Sequence, residues 1–304
     1  MRIVFIHPHK AFLPEIEAYR RFFEGHGLET SVARTGDNLK AEVEWHFMGW
    51  DPVPKKKGII KIHEFASSSV APMANWKNLS KRWLASKPDY RIFLNDYVGC
   101  CFGFGDEIPF GYRDMGIAEE FFLFEQKQQE KNYDFVYAGS LSPDRKIEML
   151  IRSFGRQELK NHSLLLIGRE GGTLRKKFRQ YHNVIFQGPV QHADIPDFLS
   201  QCSFALNYVP DMEPFNRQTS TKLLEYAAMG IPIITTDYPW VREFQKKWGG
   251  NYYFLDGGLN NFRFEQISQF PFSFPDMKDW AWENQIRGSG VLEYLKSCLR
   301  GLNF

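Results

Sequence analysis

The sequence has no long hydrophobic run, few cysteines and almost no net charge, and each of these features excludes a class of protein. No stretch of the 304 residues approaches the run of about 18 apolar residues that spans a membrane. The four cysteines (Cys100, Cys101, Cys202 and Cys298) lack CxxC spacing, so we expect free thiols and no metal site. A net charge of +2, from 38 basic and 36 acidic residues, argues against a nucleic-acid-binding protein.

Short apolar runs alternate with helical patterns, which is typical of an α/β protein with parallel sheets. Predicted strands are Arg2–His7, Glu29–Ala33, Trp45–Gly49, Gly58–His63, Tyr90–Leu94, Tyr133–Gly139, Ser163–Gly168, Val184–Gln187, Phe204–Tyr208 and Ile231–Thr235. Predicted helices are Pro14–Glu24, Arg145–Gly155, Leu174–Tyr181, Asp194–Ser200, Ser220–Met229 and Trp280–Leu299.

The stretch Ala118–Asn132 is polar and charged, which suggests a linker or a boundary helix. After it, a second series of alternating strands and helices begins. We therefore predict two Rossmann-like domains. The first comprises residues 1–125 and is completed by a helix at 280–304, and the second comprises residues 126–279.

The loop after the predicted strand Tyr133–Gly139 has the composition of a phosphate-binding turn. Gly139 and Ser140 let the backbone approach a ligand closely, and the following helix offers unpaired N–H groups. Arg145 and Lys146 lie where they could neutralise a phosphate. Because Ser-Pro-Asp is also an ordinary start of a helix, this loop alone does not decide between the two interpretations.

A second loop, Pro210–Glu225, carries a stronger signal. Thr219, Ser220 and Thr221 are hydroxyl residues directly before or at the start of a predicted helix, and Lys222 and Glu225 share one face of it. Hydroxyls, helix N–H groups and a lysine suit a pyrophosphate, and a carboxylate one turn further suits a ribose diol. A surface ion pair between Lys222 and Glu225 is the alternative interpretation.

The string TSTKLLEYAAMGIPIITTD (Thr219–Asp237) resembles the signature of GT-B glycosyltransferases related to family 4. The segments YAGSLSPDRKIEMLI (Tyr137–Ile151), NVIFQG, DIPDFL and FALNYVP are similar to the same family's nucleotide-binding domain, in the same order. The resemblance covers residues 133–240 well and is looser before them. It implies two Rossmann-like domains facing across a cleft, with a C-terminal crossover helix.

The resemblance also implies an activity, namely transfer of a sugar from a nucleoside-diphosphate sugar to a hydroxyl of an acceptor glycan or glycolipid in bacterial surface polysaccharide (O-antigen or capsule) synthesis. Glu225 matches the ribose-binding glutamate, Arg145 with its neighbour Lys146 the diphosphate contact, and Gly139 with Ser140 the glycine turn. Lys222 matches the pattern's common lysine. The position of a second family glutamate, which faces the donor sugar, is Arg217 here.

For the transfer itself we predict Arg145, Lys222 and Arg217 as the cations that stabilise the leaving diphosphate, without a metal or other cofactor. On the acceptor side, against the first domain, we predict His63 as the catalytic histidine, with Glu64 beside it after the strand GIIKI. His9 and Lys10, on the first strand-to-helix turn, are second candidates. Trp45, Trp50 and Trp76 are candidates for stacking on sugar rings.

Two other classes of protein are alternatives to a glycosyltransferase. A non-catalytic subunit that binds nucleotide sugars or polyol phosphates would share the fold, whereas an NAD-dependent oxidoreductase would need GxGxxG where this chain has His7-Pro8-His9-Lys10. We expect a cytoplasmic protein. Its aromatic residues and near-neutral charge leave open a peripheral contact with the inner face of the membrane.

Overall fold

The structure is a computed structural model that describes residues 1–7, 13–34, 36–37, 40–47, 51–70, 72–124, 130–169 and 173–301. Contacts divide the chain into two compact units, Met1–Gly116 with Asp279–Phe304, and Ile117–Lys278. The boundary predicted from the sequence lies at residues 125 and 126. Among the described residues, no helix has both the length and the apolar character needed to cross a bilayer.

The first unit is built on a six-stranded parallel sheet of order β2-β1-β3-β4-β5-β6. Its strands are β1 (Arg2–Ile6), β2 (Glu29–Ala33), β3 (Val43–Phe47), β4 (Ile60–Phe65), β5 (Tyr90–Phe93) and β6 (Phe110–Tyr112). Its helices are α1 (Pro14–Gly25), α2 (Ala74–Leu84), α3 (Asp96–Phe102), α11 (Trp282–Gly288) and α12 (Val291–Gly301). The helical segment predicted at 280–299 is thus two helices, and Gly290 between them has a φ of 71°, which favours glycine.

The second unit has a six-stranded parallel sheet of order β12-β11-β10-β7-β8-β9. Its strands are β7 (Tyr133–Ala138), β8 (Leu164–Ile167), β9 (Val184–Gly188), β10 (Cys202–Asn207), β11 (Ile233–Thr236) and β12 (Tyr253–Leu255). Its helices are α4 (Glu119–Phe122), α5 (Ile147–Ser153), α6 (Leu174–Lys177), α7 (Ile195–Ser200), α8 (Thr221–Ala228), α9 (Pro239–Trp248) and α10 (Phe264–Ser268).

Each sheet packs against a cluster of buried apolar side chains. In the second unit α5 has an apolar face, since Ile147, Leu150 and Ile151 are buried with the strand residues Phe135 and Leu164. In the same sheet β7 and β10 are paired side by side, which matters for function. The loops that follow these two strands are the ones the sequence analysis singled out.

Candidate functional site

The candidate site lies where the order of strands in the second sheet reverses. From the central strand β7 the chain proceeds outward through β8 and β9, then returns to place β10 on the other side of β7 and continues to β11 and β12. Open parallel sheets bind ligands at such a switch point, beyond the carboxyl ends of the two central strands. The loops after β7 and β10 therefore occupy the position in the fold that is best suited to a ligand.

Two glycines bring the loop after β7 close to the rest of the site. The N–H of Gly139 donates to the carbonyl of Ile167, 2.8 Å away, at the end of β8. A Cβ on Gly139 would lie 3.4 Å from Lys222 Cδ, and a Cβ on Gly168 would overlap the carbonyl oxygen of Gly139. Gly168 also has a φ of 148°, which side chains rarely allow. Close approach of backbone therefore requires glycine here.

We expect Gly168→Ala to destabilise the protein by about 2 kcal/mol, because its methyl group must displace the Gly139 turn. Urea unfolding measures this loss. Gly257→Ala is the matched control, since a Cβ on Gly257 meets no atom within 4 Å. Equal stability of the two variants would contradict the close packing of the turn.

Arg145 and Lys222 bring two positive charges to this switch point. The Arg145 guanidinium lies 4.0 Å from the centre of the Phe215 ring, so it links the loop after β7 to the loop after β10. The Lys222 ammonium lies 5.3 Å from the centre of the Tyr137 ring. Neither cation forms an ion pair with a carboxylate in the part of the chain that the structure describes. Two cations without an ion-paired carboxylate at the same switch point are suited to binding an anion.

The electrostatics of Lys222 reflect this crowding of positive charge. Burial, with a further contribution from Arg145, lowers the pKa of Lys222 from 10.5 to about 7. The side chain therefore loses its proton readily near neutral pH, and a bound anion would restore the charge. Burial likewise raises the pKa of the neighbouring Tyr137 to about 12, so this phenol stays neutral.

The start of α8 offers N–H groups toward the same loops. Ser220 precedes the helix, but its hydroxyl makes no capping hydrogen bond. It donates instead to Asn207 Oδ1 at 2.6 Å, and the amide of Asn207 donates to Thr235 and Tyr238, each at 2.9 Å. The first N–H groups of a helix have no partner within it. Because Ser220 is held away from them, they are left for another acceptor.

Glu225, one turn into α8, is held by a histidine that follows β9. His192 Nε2 lies 2.7 Å from Glu225 Oε1, and the carboxylate is almost completely buried. Burial by itself would lower the pKa of His192, but the hydrogen bond and charge of Glu225 raise it. Within the described residues Glu225 Oε2 has no hydrogen-bond partner. This oxygen can accept hydrogen bonds from a ligand's hydroxyl groups.

The other predicted donor residues flank this centre. The Ser140 hydroxyl donates to Ser142 Oγ at 2.8 Å, and the Ser140 carbonyl accepts from Tyr137. Lys146 is exposed at the start of α5 with a φ of 51°, and Arg217 is exposed at the end of a 3-10 turn. Thr219 and Thr221 are partly buried on either side of Ser220. The structure thus brings Gly139, Arg145, Lys222 and Ser220 together, with Glu225 one turn deeper.

The predictions for His63 and Glu64 conflict with the structure. β4 continues to Phe65, so both residues lie inside the strand rather than after it. Glu64 is completely buried, where it forms an ion pair with Arg113 and accepts a hydrogen bond of 2.8 Å from Trp45 Nε1. These two partners hold the Glu64 carboxylate in the interior of the first unit.

His63 is also enclosed. Its Nε2 lies 3.5 Å from Asp51 Oδ2, which additionally accepts from Lys61 Nζ at 2.5 Å and Ser86 Oγ at 2.9 Å. Burial lowers the pKa of His63, and only 1% of its surface is exposed. The structure therefore places His63 in a buried polar cluster and not at an accessible strand end, as the sequence analysis expected. His9, Lys10 and Trp50 lie outside the described residues, and Trp45 is core.

Sequence reasoning missed His192 and Phe215. His192 lies in the segment between Gly188 at the end of β9 and α7, so its position after a strand is the signal that could have found it. Phe215 carries no such signal, because nothing in the sequence shows that its ring supports Arg145. In the described part of the chain, no group of three His, Cys, Asp or Glu side chains could hold a metal ion.

Comparison with known proteins agrees with this geometry. Residues 132–255, which contain the whole candidate site, match the family described as glycosyl transferases group 1. These residues form a group 1 glycosyltransferase domain. The chain is accordingly a transferase with the GT-B fold, as the sequence signature predicted. Comparison with curated protein sequences gives no match.

Three solved glycosyltransferase-fold structures are similar to the whole chain. HepE from Anabaena in complex with UDP and glucose has a TM-score of 0.60 at 13% identity, over 100% of this chain and 99% of that one. Sucrose-phosphate synthase from Thermosynechococcus elongatus has a TM-score of 0.62 at 11% identity, over 99% of both chains. A glycosyltransferase involved in avilamycin A biosynthesis has a TM-score of 0.57 at 13% identity, over 99% and 96%. These likenesses concern the fold.

Proposed function

We propose that the second unit binds a nucleoside-diphosphate sugar, with the diphosphate at Arg145, Lys222 and the start of α8 and the ribose at Glu225. The observation that carries this proposal is the pair of cations without carboxylate partners at the switch point of the sheet. A diphosphate supplies the negative charge that this pair lacks. The free oxygen of Glu225 would accept hydrogen bonds from a ribose diol but would repel phosphate.

The chemistry of transfer follows from the same contacts. When the bond between the sugar and the diphosphate breaks, negative charge grows on the leaving phosphate oxygens. Arg145 and Lys222 would stabilise that charge from fixed positions, which lowers the barrier. An acceptor hydroxyl forms the new bond to the sugar as the bond to the diphosphate breaks, and its proton passes to solvent. Complexes of HepE with UDP-glucose and with UDP and glucose support a nucleotide sugar as the donor.

The experiment that tests the proposal is a thermal-shift screen with UDP, GDP, CMP and dTDP sugars. A ligand that binds only the native protein raises its melting temperature. We expect one base to give a clear shift and the sugar nucleotide with that base to be turned over. A shift without turnover or hydrolysis would favour a non-catalytic binding subunit, an alternative that Arg217 at the family glutamate position supports. No shift with any of them would overturn the donor site.

We further infer that the acceptor is a hydroxyl of a glycan or glycolipid of a bacterial surface polysaccharide, as the resemblance in the sequence implies. Incubation with a labelled sugar nucleotide and isolated lipid-linked glycans tests this inference. Label in the glycolipid fraction would support it, and label only in free sugar would contradict it.

Because two protein cations face the diphosphate, we propose that turnover needs no metal ion. We expect the same rate with EDTA as with added magnesium, measured as release of the nucleoside diphosphate. A loss of activity in EDTA that magnesium restores would contradict this proposal.

The lowered pKa of Lys222 predicts that diphosphate binding takes up a proton. At pH 8 a lysine with a pKa of about 7 is about nine-tenths neutral. The bound anion raises this pKa, so the complex holds more protons than the free protein, and affinity falls as pH rises from 7 to 9. Calorimetry in buffers of different ionisation enthalpy measures the uptake. Wild type should take up close to one proton at pH 8, and Lys222→Met should lose that uptake.

A further inference from the structure

Helix α2 in the first unit turns its apolar side away from the protein. The most exposed tryptophans of this unit's described residues, Trp76 and Trp83, lie on it with 69% and 76% of their surface exposed. Met73 before the helix and Leu79 and Leu84 within it are also exposed. At 100° per residue these side chains fall on one side of the helix. We call this set, Met73, Trp76, Leu79, Trp83 and Leu84, the outward face of α2.

The opposite side of α2 is held by polar contacts rather than by apolar packing. Asn78 is the buried residue of the helix, and its Oδ1 accepts a hydrogen bond of 3.0 Å from the N–H of Ser69. Lys81 lies partly buried with its ammonium 5.8 Å from the centre of the Phe102 ring. The contacts of Asn78 and Lys81 fix the rotation of the helix. The outward direction of the two tryptophans therefore follows from specific contacts.

The chain segment that carries this face has charge of one sign. From Ala66 to Pro88 the sequence contains Lys77, Lys81, Arg82 and Lys87 and no aspartate or glutamate. A helix with tryptophan and leucine on one side and lysine and arginine beside them has the composition of an element that lies in a membrane interface. Tryptophan rings favour the headgroup level, and the cations attract anionic lipids.

We propose that α2 docks the protein on a membrane surface that contains anionic lipids, with its outward face in the headgroup layer. Charge favours this occupant over a second copy of the chain. In a symmetric dimer through α2, the exposed Lys77 and Arg82, which flank the outward face, would be brought close to the same residues of the second copy. With 11 residues, α2 is too short to span a bilayer, so it would lie along the surface. The proposal is independent of the donor site.

Sedimentation with lipid vesicles tests the proposal. The full chain is mixed with vesicles of phosphatidylcholine and phosphatidylglycerol, or of phosphatidylcholine alone, and centrifuged at low and high salt. We expect binding to the mixed vesicles, at least about tenfold weaker binding to the neutral ones, and loss of binding as salt increases. Tryptophan emission should shift to shorter wavelength on binding, because Trp76 and Trp83 leave water.

Two double variants assign the binding to α2. We expect W76S/W83S and K77E/R82E each to weaken vesicle binding about tenfold or more. Matched controls in the second unit, L123S/M149S for exposed apolar residues and K160E/K176E for exposed lysines, should bind like wild type. Circular dichroism checks that every variant is folded.

Three results would overturn the proposal. The first is equal binding to both vesicle types, or no binding to either. The second is wild-type binding by both α2 variants while they remain folded. The third is a dimer in solution that W76S/W83S converts to a monomer without any vesicle binding by wild type, which would assign the outward face to a second copy of the chain.

Discussion

Replacing Lys222 by methionine should lower kcat/KM about 100- to 1000-fold, the range found when one pre-placed group that stabilises developing negative charge is removed. The same change should raise the melting temperature of the unliganded protein by a few degrees. Activity falls while stability rises because the pKa of Lys222 is lowered in the native protein. Below pH 10.5 the unfolded chain holds the lysine proton more tightly than the native protein does, which disfavours folding, and methionine removes this term.

The pair of outcomes separates a binding role for Lys222 from a structural one. If the lysine mainly supported the fold, its loss would lower both stability and activity. Lys246→Met is the matched control, because Lys246 is exposed on α9 of the same unit and should change neither quantity. Full activity of Lys222→Met would remove this residue from the mechanism.

Replacing Glu225 by glutamine should weaken nucleotide binding by about 3 kcal/mol, or more than a hundredfold in Kd, because two hydrogen bonds from a ribose diol lose their charged acceptor. The amide can still receive a hydrogen bond from His192, so the fold should persist. Calorimetry with the nucleotide and with the corresponding 2′,3′-dideoxynucleotide measures the effect. The variant should bind the two alike, whereas wild type should prefer the ribonucleotide.

Loss of the carboxylate also changes the titration of His192. Glu225 raises the pKa of His192, so their interaction stabilises the native protein below the ordinary histidine pKa of 6.5 and is lost as pH rises through the raised value. Glu225→Gln should therefore lose more stability at pH 6 than at pH 9. Glu243→Gln, at an exposed carboxylate on α9, should show no such difference.

Equal affinity of wild type for the ribonucleotide and the dideoxynucleotide would contradict a ribose at Glu225.

The second unit could be predicted well from the sequence, because its apolar periodicity and its loop residues agree with each other. The strand beginning at Tyr133, the buried face of α5 and the helix around Glu225 all have strong patterns. Loops after β7 and β10 necessarily meet at one edge of a parallel sheet, so Arg145 and Lys222 could be placed together before any contact was known.

The first unit was harder because its interior contains charged residues. The predicted strand ends at His63, two residues before the observed end of β4 at Phe65, so His63 and Glu64 were placed at the strand end, where they looked accessible. Their burial depends on distant partners, Asp51 for His63 and Arg113 for Glu64, and no local pattern reveals such pairs. The exposed apolar side of helix α2 was not predicted for a related reason. The rotation of the helix, which exposes Trp76, is set by the contacts of Asn78 and Lys81 with distant residues.

The central claim is that Arg145 and Lys222 hold a diphosphate. The most direct test compares, by calorimetry at pH 7, the affinity for the nucleoside diphosphate identified in the screen with the affinity for its nucleoside. Wild type should bind the diphosphate at least a hundredfold more tightly, since two charge-assisted contacts contribute together about 3 kcal/mol or more. In R145A/K222M this difference should nearly vanish while nucleoside binding stays unchanged. An undiminished preference for the diphosphate in the double variant would contradict the account.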